Sequence, residues 1–242
     1  MAGRAGRPQF CRTASVVIMT EMSKRRQYEQ LMVGSSVVES SLQDHLYEHL
    51  NAEIILGSIN SVEQASDWIK STYLFMRLRR NPRHYGLSER ITDAELDQRL
   101  HDLCSTALDS MTRIGLVLRS SNGSVGGTGL GRLMSRYYLA YSTMELLTSV
   151  AESVNMSELL EVICRSRELS DAVLRTTEKK TLNHLNRNKE RNTVRFQLPG
   201  KIKNKEMKVN ILLQASLGCM SISDVGLSME APRYVRQNVV FT

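Results

Sequence analysis

Apolar residues recur along this chain mostly at helical spacing, with two short departures. Leu42, Leu46, Leu50 and Ile54 fall on one helical face, which predicts an amphipathic helix from about residue 39 onward. A second such stretch covers residues 59–78 and ends near Asn81-Pro82, where proline bars continuation. Residues 93–116 read as a third helix. One departure is the run ASVVIMT at residues 14–20, β-branched and apolar like a buried strand, after a Gly- and Arg-rich turn. The other is LVLRS and VGGTG flanking Ser121-Asn122-Gly123-Ser124: two short strands joined by an Asn-Gly hairpin turn, where the backbone must tolerate positive φ. Helices followed by a two-stranded ribbon describe a winged helix.

The helical pattern resumes after Gly131 over residues 133–150, 156–174 and 183–187, and predicts a helical bundle. QLPG at 197–200 interrupts it, a basic strip of Lys201, Lys203, Lys205 and Lys208 follows, and residues 209–217 and 224–240 are again helical. The predicted fold class is mainly α: a lone strand, a winged helix, then a bundle.

Composition narrows the partners. With 242 residues, 41% hydrophobic and 24% charged, the chain can form one or two compact domains. Thirty-two Lys and Arg against 25 Asp and Glu leave a net charge of +7, which favours polyanions such as nucleic acid or an anionic membrane surface. No apolar run is long enough for a signal peptide or a membrane span, so no membrane partner is expected. Cys11, Cys104, Cys164 and Cys219 are too far apart for any CxxC pair, which argues against a zinc ribbon or disulfide framework and fits a reducing compartment.

Several motifs carry possible chemistry. In Gly3-Arg4-Ala5-Gly6-Arg7-Pro8-Gln9-Phe10, two arginines on a Gly-shaped turn could reach the γ-phosphate of ATP bound by a neighbouring domain; the alternative is a flexible basic terminus. Arg233 and Arg236 share a helical face, from which guanidinium groups can stack on bases or pair with phosphates of a single strand; the alternative is a solvated basic face. His45-Leu46-Tyr47-Glu48-His49 matches the inverted zinc-protease pattern, with Glu53 or Glu63 as conceivable third ligands, but a helix histidine is more often surface or packing. Gly126-Gly127-Thr128-Gly129-Leu130-Gly131 lacks both phosphate-loop spacings and reads as wing and linker. The lysine strip is a phosphate contact or a solvated strip, and Trp68, Tyr73 and Phe75 read as core.

GRAGRPQF resembles motif VI of the Ski2-like group of superfamily 2 helicases. The resemblance continues through Val38-Glu39-Ser40-Ser41-Leu42, His49-Leu50-Asn51-Ala52-Glu53-Ile54 and Arg79-Arg80-Asn81-Pro82-Arg83-His84-Tyr85-Gly86. It extends through Glu178-Lys179-Lys180-Thr181-Leu182-Asn183, Gly200-Lys201-Ile202-Lys203, Glu206-Met207-Lys208-Val209-Asn210 and Gln214-Ala215-Ser216-Leu217-Gly218-Cys219. The later segments look like the meiotic crossover helicases within that group.

The resemblance implies three parts: residues 1–38 as the end of a second RecA-like α/β domain including its last strand, 39–130 as a winged helix, and 131–242 as a Sec-type helical domain with an incomplete ratchet helix. It assigns Arg4 and Arg7 to ATP phosphates, and Arg233 and Arg236 to DNA. Cys11 stands where relatives carry Asp, which puts the local loop in doubt, and Pro232 departs from the ratchet-helix pattern at a position where proline kinks a helix interior. The GxxxxGK[ST] loop and acidic Mg²⁺ box of the family do not occur in this sequence.

The expectation is therefore a fragment of an ATP-dependent 3′–5′ DNA helicase of meiotic recombination and crossover formation, located in the nucleus. ATP and Mg²⁺ would serve the parent enzyme, and no cofactor or ATP hydrolysis is expected of this chain. Its partners would be single-stranded or branched DNA, upstream RecA-like domains and meiotic recombination proteins. The alternative is a non-catalytic protein-interaction scaffold derived from a helicase cassette.

Overall fold

A computed structural model describes residues 6, 9, 13–34, 38–151, 153–187 and 193–237, the side chains of the last two excepted. It divides into two units, residues 1–40 and 41–242.

In the first unit, residues 13–21 have no regular structure and precede α1 (Arg25–Val33), which buries none of its residues and closes on Gly34 at φ 69°. The strand expected at 14–20 is not formed. A strand is completed by a neighbour's backbone, and the two strands among the described residues pair with each other. Val17 and Met19 are accordingly 83% and 93% exposed.

The second unit is helical. It comprises α2 (Leu46–Leu56), α3 (Val62–Lys70), α4 (Tyr73–Arg80), α5 (Asp93–Arg113), strands β1 (Val117–Arg119) and β2 (Val125–Gly127), then α6 (Gly129–Tyr137), α7 (Tyr141–Thr148), α8 (Met156–Cys164), α9 (Lys179–Arg187), α10 (Lys205–Leu217) and α11 (Val225–Gln237). The mainly α class is as expected, with 62% of the described residues in helix, 3-10 turns included.

Helix α5 shows how sequence sets these elements. Thr92 and Glu95 form a reciprocal capping box, and Leu96, Leu100, Cys104, Ala107, Leu108 and Met111 are buried along one face. The following hairpin pairs Val117 with Gly127 and Arg119 with Val125. The expected hairpin forms, and its turn is a three-residue loop that contains Asn122-Gly123. Ser120 N donates to Ser124 O at 2.8 Å, Gly123 N to Ser120 O at 2.9 Å, and the left-handed residue is Gly123 at φ 83°.

Two long predicted helices are each broken, and a third, expected over 156–174, stops at Cys164. Between α3 and α4 the Ser71 and Thr72 hydroxyls donate to Trp68 O and Ile69 O, which offers the backbone an alternative to helix. Between α6 and α7 the chain turns at Tyr138, φ 55°. Apolar spacing continues across both breaks because the flanking helices cover the same core.

The described residues form two cores. One joins α2 to α7 around Leu50, Ile69, Leu108 and Met111, and the other joins α8 to α11 around Leu182, Ile211, Leu212 and Leu227. Helix α10 is central to the second and is buried continuously from Lys208 to Ala215.

Candidate nucleic-acid interface

Helix α11 starts at Asp224, whose Oδ1 accepts the Leu227 N–H at 2.9 Å and so satisfies an orphan donor. Leu227, Ala231 and Tyr234 are buried against the second core. Along the opposite side, Val225 is 71% and Met229 79% exposed, and Pro232 and Arg233 follow, also exposed. One-turn spacing puts Arg236 on the same stripe by position. The expected kink at Pro232 does not end the helix, which runs through it to Gln237. Proline has no N–H for the Ser228 carbonyl, and because both residues are exposed, water can reach that carbonyl.

The stripe combines exposed apolar surface with a guanidinium. Aliphatic side chains offer base faces van der Waals contact, and arginine pairs with phosphate. Arg233 makes no ion pair or hydrogen bond among the described residues.

Beneath the stripe lies a buried polar cluster. Lys208 Nζ donates to Val173 O at 2.8 Å, to Glu178 Oε2 at 2.8 Å and to Glu230 Oε2 at 2.9 Å. The Tyr234 hydroxyl donates to Glu230 Oε1, and burial followed by that bond holds the phenol well above its ordinary range. Arg175 lies 3.5 Å from Glu178 Oε1, so two cations face two carboxylates. An ammonium has three protons to donate, and all three are used. Sequence reading grouped Lys208 with Lys201, Lys203 and Lys205 as a single strip, but the four separate. Lys201 and Lys203 are exposed, Lys205 donates to Ser170 O at 2.7 Å, and Lys208 is 1% exposed. The available signal was a lysine set directly against the apolar run Val209 to Leu213.

The other expected residues are placed as follows. Arg4, Arg7 and Cys11 lie outside the described residues, as does the side chain of Arg236. In the HxxEH segment His45 and His49 are exposed, while Glu48 accepts the Tyr141 backbone N–H at 2.7 Å. Among the described residues no group of three His, Cys, Asp or Glu could hold a metal. Of the glycines of GGTGLG, Gly127 and Gly131 serve close packing, while Gly126 and Gly129 face open space. A Cβ at Gly131 would overlap the Leu116 carbonyl oxygen and stand 2.8 Å from Asn51 Oδ1. That Asn51, fully buried, donates to Gly131 O and to Ser135 Oγ, both at 2.8 Å, and ties α2 to α6. Burial pushes the Cys104 thiol up to about 11 and the Cys164 thiol up to about 12, so neither is primed as a nucleophile. No helix among the described residues is long and apolar enough to cross a membrane.

A family model described as a winged helix-turn-helix domain matches residues 39–116, and one described as a Sec63 Brl domain matches residues 127–240. The probable ATP-dependent DNA helicase HFM1 of Xenopus tropicalis is 42% identical over 98% of the chain. The ATP-dependent DNA helicase MER3 homolog of Oryza sativa is 34% identical over 95% of it, and the ATP-dependent DNA helicase MER3 of Saccharomyces cerevisiae 32% over 77%. The chain spans 18%, 20% and 16% of those three proteins respectively.

Proposed function

With a winged helix and a Sec63 domain in succession, the chain belongs to the Ski2-like helicases, and we propose that it forms the nucleic-acid grip and hinge of an ATP-dependent DNA helicase. In this reading the protein translocates 3′ to 5′ on single-stranded or branched DNA, acts in meiotic recombination and crossover formation, and works in the nucleus beside recombination proteins. ATP and Mg²⁺ serve RecA-like domains. Arg4 and Arg7 contact ATP phosphates there, and the chain itself contributes no hydrolysis. Residues 1–38 belong to a RecA-like domain, 39–130 to the winged helix and 131–242 to the ratchet domain.

The observation that carries this reading is the α11 stripe, where Arg233 stands exposed, and unpaired among the described residues, beside Val225 and Met229. Phosphate contacts release counterions, so log affinity falls linearly with log salt at about 0.7 per phosphate neutralised on a single strand. Labelled oligo-dT titrated with the 242-residue chain at several salt concentrations should show such a line. Arg233→Ala and Arg236→Ala should each flatten it by about that amount and weaken binding about fivefold at 0.1 M salt. No binding at low salt overturns the reading, and DNA-stimulated ATP hydrolysis by this chain overturns its non-catalytic part.

A scaffold reading has one observation of its own. An open groove lined by Ile114, Leu130, Leu133, Tyr137, Leu139 and Met144 presents apolar surface suited to protein contact. Absence of DNA binding in the same titration would favour it.

A further inference from the structure

Among the described residues Arg233 stays unpaired although three carboxylates, those of Glu168, Asp171 and Glu230, line the small cleft it borders. Glu168 is occupied: Oε1 accepts the Ala140 N–H at 2.9 Å and Oε2 the Thr143 hydroxyl at 2.6 Å. Asp171 is exposed and makes no ion pair with Arg233 within 4.0 Å. Glu230 is the carboxylate best placed to capture the arginine, because residues three apart on a helix are neighbours and opposite charges there pair readily. Both of its oxygens are already held, Oε2 by Lys208 and Oε1 by Tyr234. Lys208 in turn is tied to Glu178 and to Val173 O.

We propose that Lys208 is a positioning residue for the nucleic-acid grip: by holding Glu230 from inside the bundle, it keeps that carboxylate off Arg233 and leaves the guanidinium open to a backbone phosphate. This rests on the reading of Arg233 as a DNA contact. Glu178 and Arg175 complete the charge balance that lets the ammonium remain buried. The device needs no DNA to assemble, so the arginine is free before the strand arrives.

The test uses the full 242-residue chain and labelled oligo-dT across a salt series. Lys208→Met releases Glu230 toward Arg233. It should weaken binding about fivefold at 0.1 M salt and flatten the salt dependence by about 0.7, matching Arg233→Ala. Lys208→Met/Glu230→Gln should restore both affinity and slope, which a merely structural role for Lys208 does not predict. A wild-type slope in Lys208→Met, or a double variant as weak as the single, overturns the proposal. Should Lys208→Met fail to fold, Tyr234→Phe frees one Glu230 oxygen while leaving the lysine in place. A smaller loss, reversed by Glu230→Gln, then supports the proposal, and no loss overturns it. If Arg233→Ala alone leaves affinity and slope unchanged, the DNA reading of Arg233 has failed. If only the Lys208 and Tyr234 variants are silent, that reading stands and the positioning role has failed.

Discussion

The core shared by α2 to α7 is apolar at its centre, with Leu50, Ile69, Leu108 and Met111 each fully buried, whereas the core of α8 to α11 sets an ammonium and two carboxylates beside Leu182, Ile211 and Leu227. Its polar network extends further. Asn186 exchanges two hydrogen bonds with the Leu198 backbone, and Gln214 bonds the Phe196 backbone at both N–H and C=O. Apolar contacts are non-directional and tolerate repacking, while hydrogen-bonded charges fix relative placement because a misplaced partner is left unsatisfied. The second core is therefore the one suited to hold α11 in a single register. Its cost is exposure to any change that leaves half of a pair behind.

The largest expected effect tests that difference. Lys208→Met leaves the Glu178 and Glu230 carboxylates without their ammonium and should cost about 3–5 kcal/mol in urea unfolding. Leu108→Ala, which removes a fully buried side chain from the first core, should cost about 3 kcal/mol. Adding Glu178→Gln and Glu230→Gln to Lys208→Met should recover most of the loss, since a neutral cluster carries no stranded charge. Recovery absent from the triple variant would show that Lys208 acts by packing alone and would erase the contrast between the cores.

Where α6 meets α2 the first core has a polar joint, too. Gly131→Ala should cost about 2 kcal/mol, because its Cβ would strike the Leu116 backbone oxygen and crowd Asn51, neither of which can retreat without opening the joint. Gly127→Ala meets mainly the flexible end of the Ile55 side chain and should cost less than half as much. Thermal unfolding of the two variants side by side checks this order.

Legibility in the sequence tracks the same division. Helix α5 and the hairpin were readable because a capping pair, a one-faced apolar stripe and a Gly-containing turn are local signals. The breaks at Ser71-Thr72 and Tyr138 were not, since periodicity reports which face is buried and continues wherever successive helices cover one core. The strand at 14–20 was over-read, because β-branched composition supplies propensity but no neighbour. On α11, the three-residue spacing of the arginines was visible. The carboxylate management behind Arg233 was not, because Lys208, Glu178 and Glu230 are distant in sequence and meet only through the packing of α10.

The smallest expected effect belongs to the apolar core and concerns its longest helix. Glu95 closes the cap of α5 by accepting the Thr92 backbone N–H at 2.8 Å and the Thr92 hydroxyl at 2.9 Å. Those bonds favour the ionised form, the backbone bond most, and hold the carboxyl below its ordinary value of 4.5. A depressed folded value means that the carboxylate adds stability above the unfolded value and loses it as pH falls through the folded one. Glu95→Gln should therefore lower the unfolding midpoint slightly at pH 7, with the difference from wild type shrinking below pH 4.5 and vanishing once both caps are neutral. Thr92→Ala, which also removes the hydroxyl that accepts the Glu95 N–H, should keep a residual deficit of about 1 kcal/mol or less in acid. If the two variants instead lost their effects together, the hydroxyl's acceptor role would contribute nothing, and the cap would be electrostatic throughout.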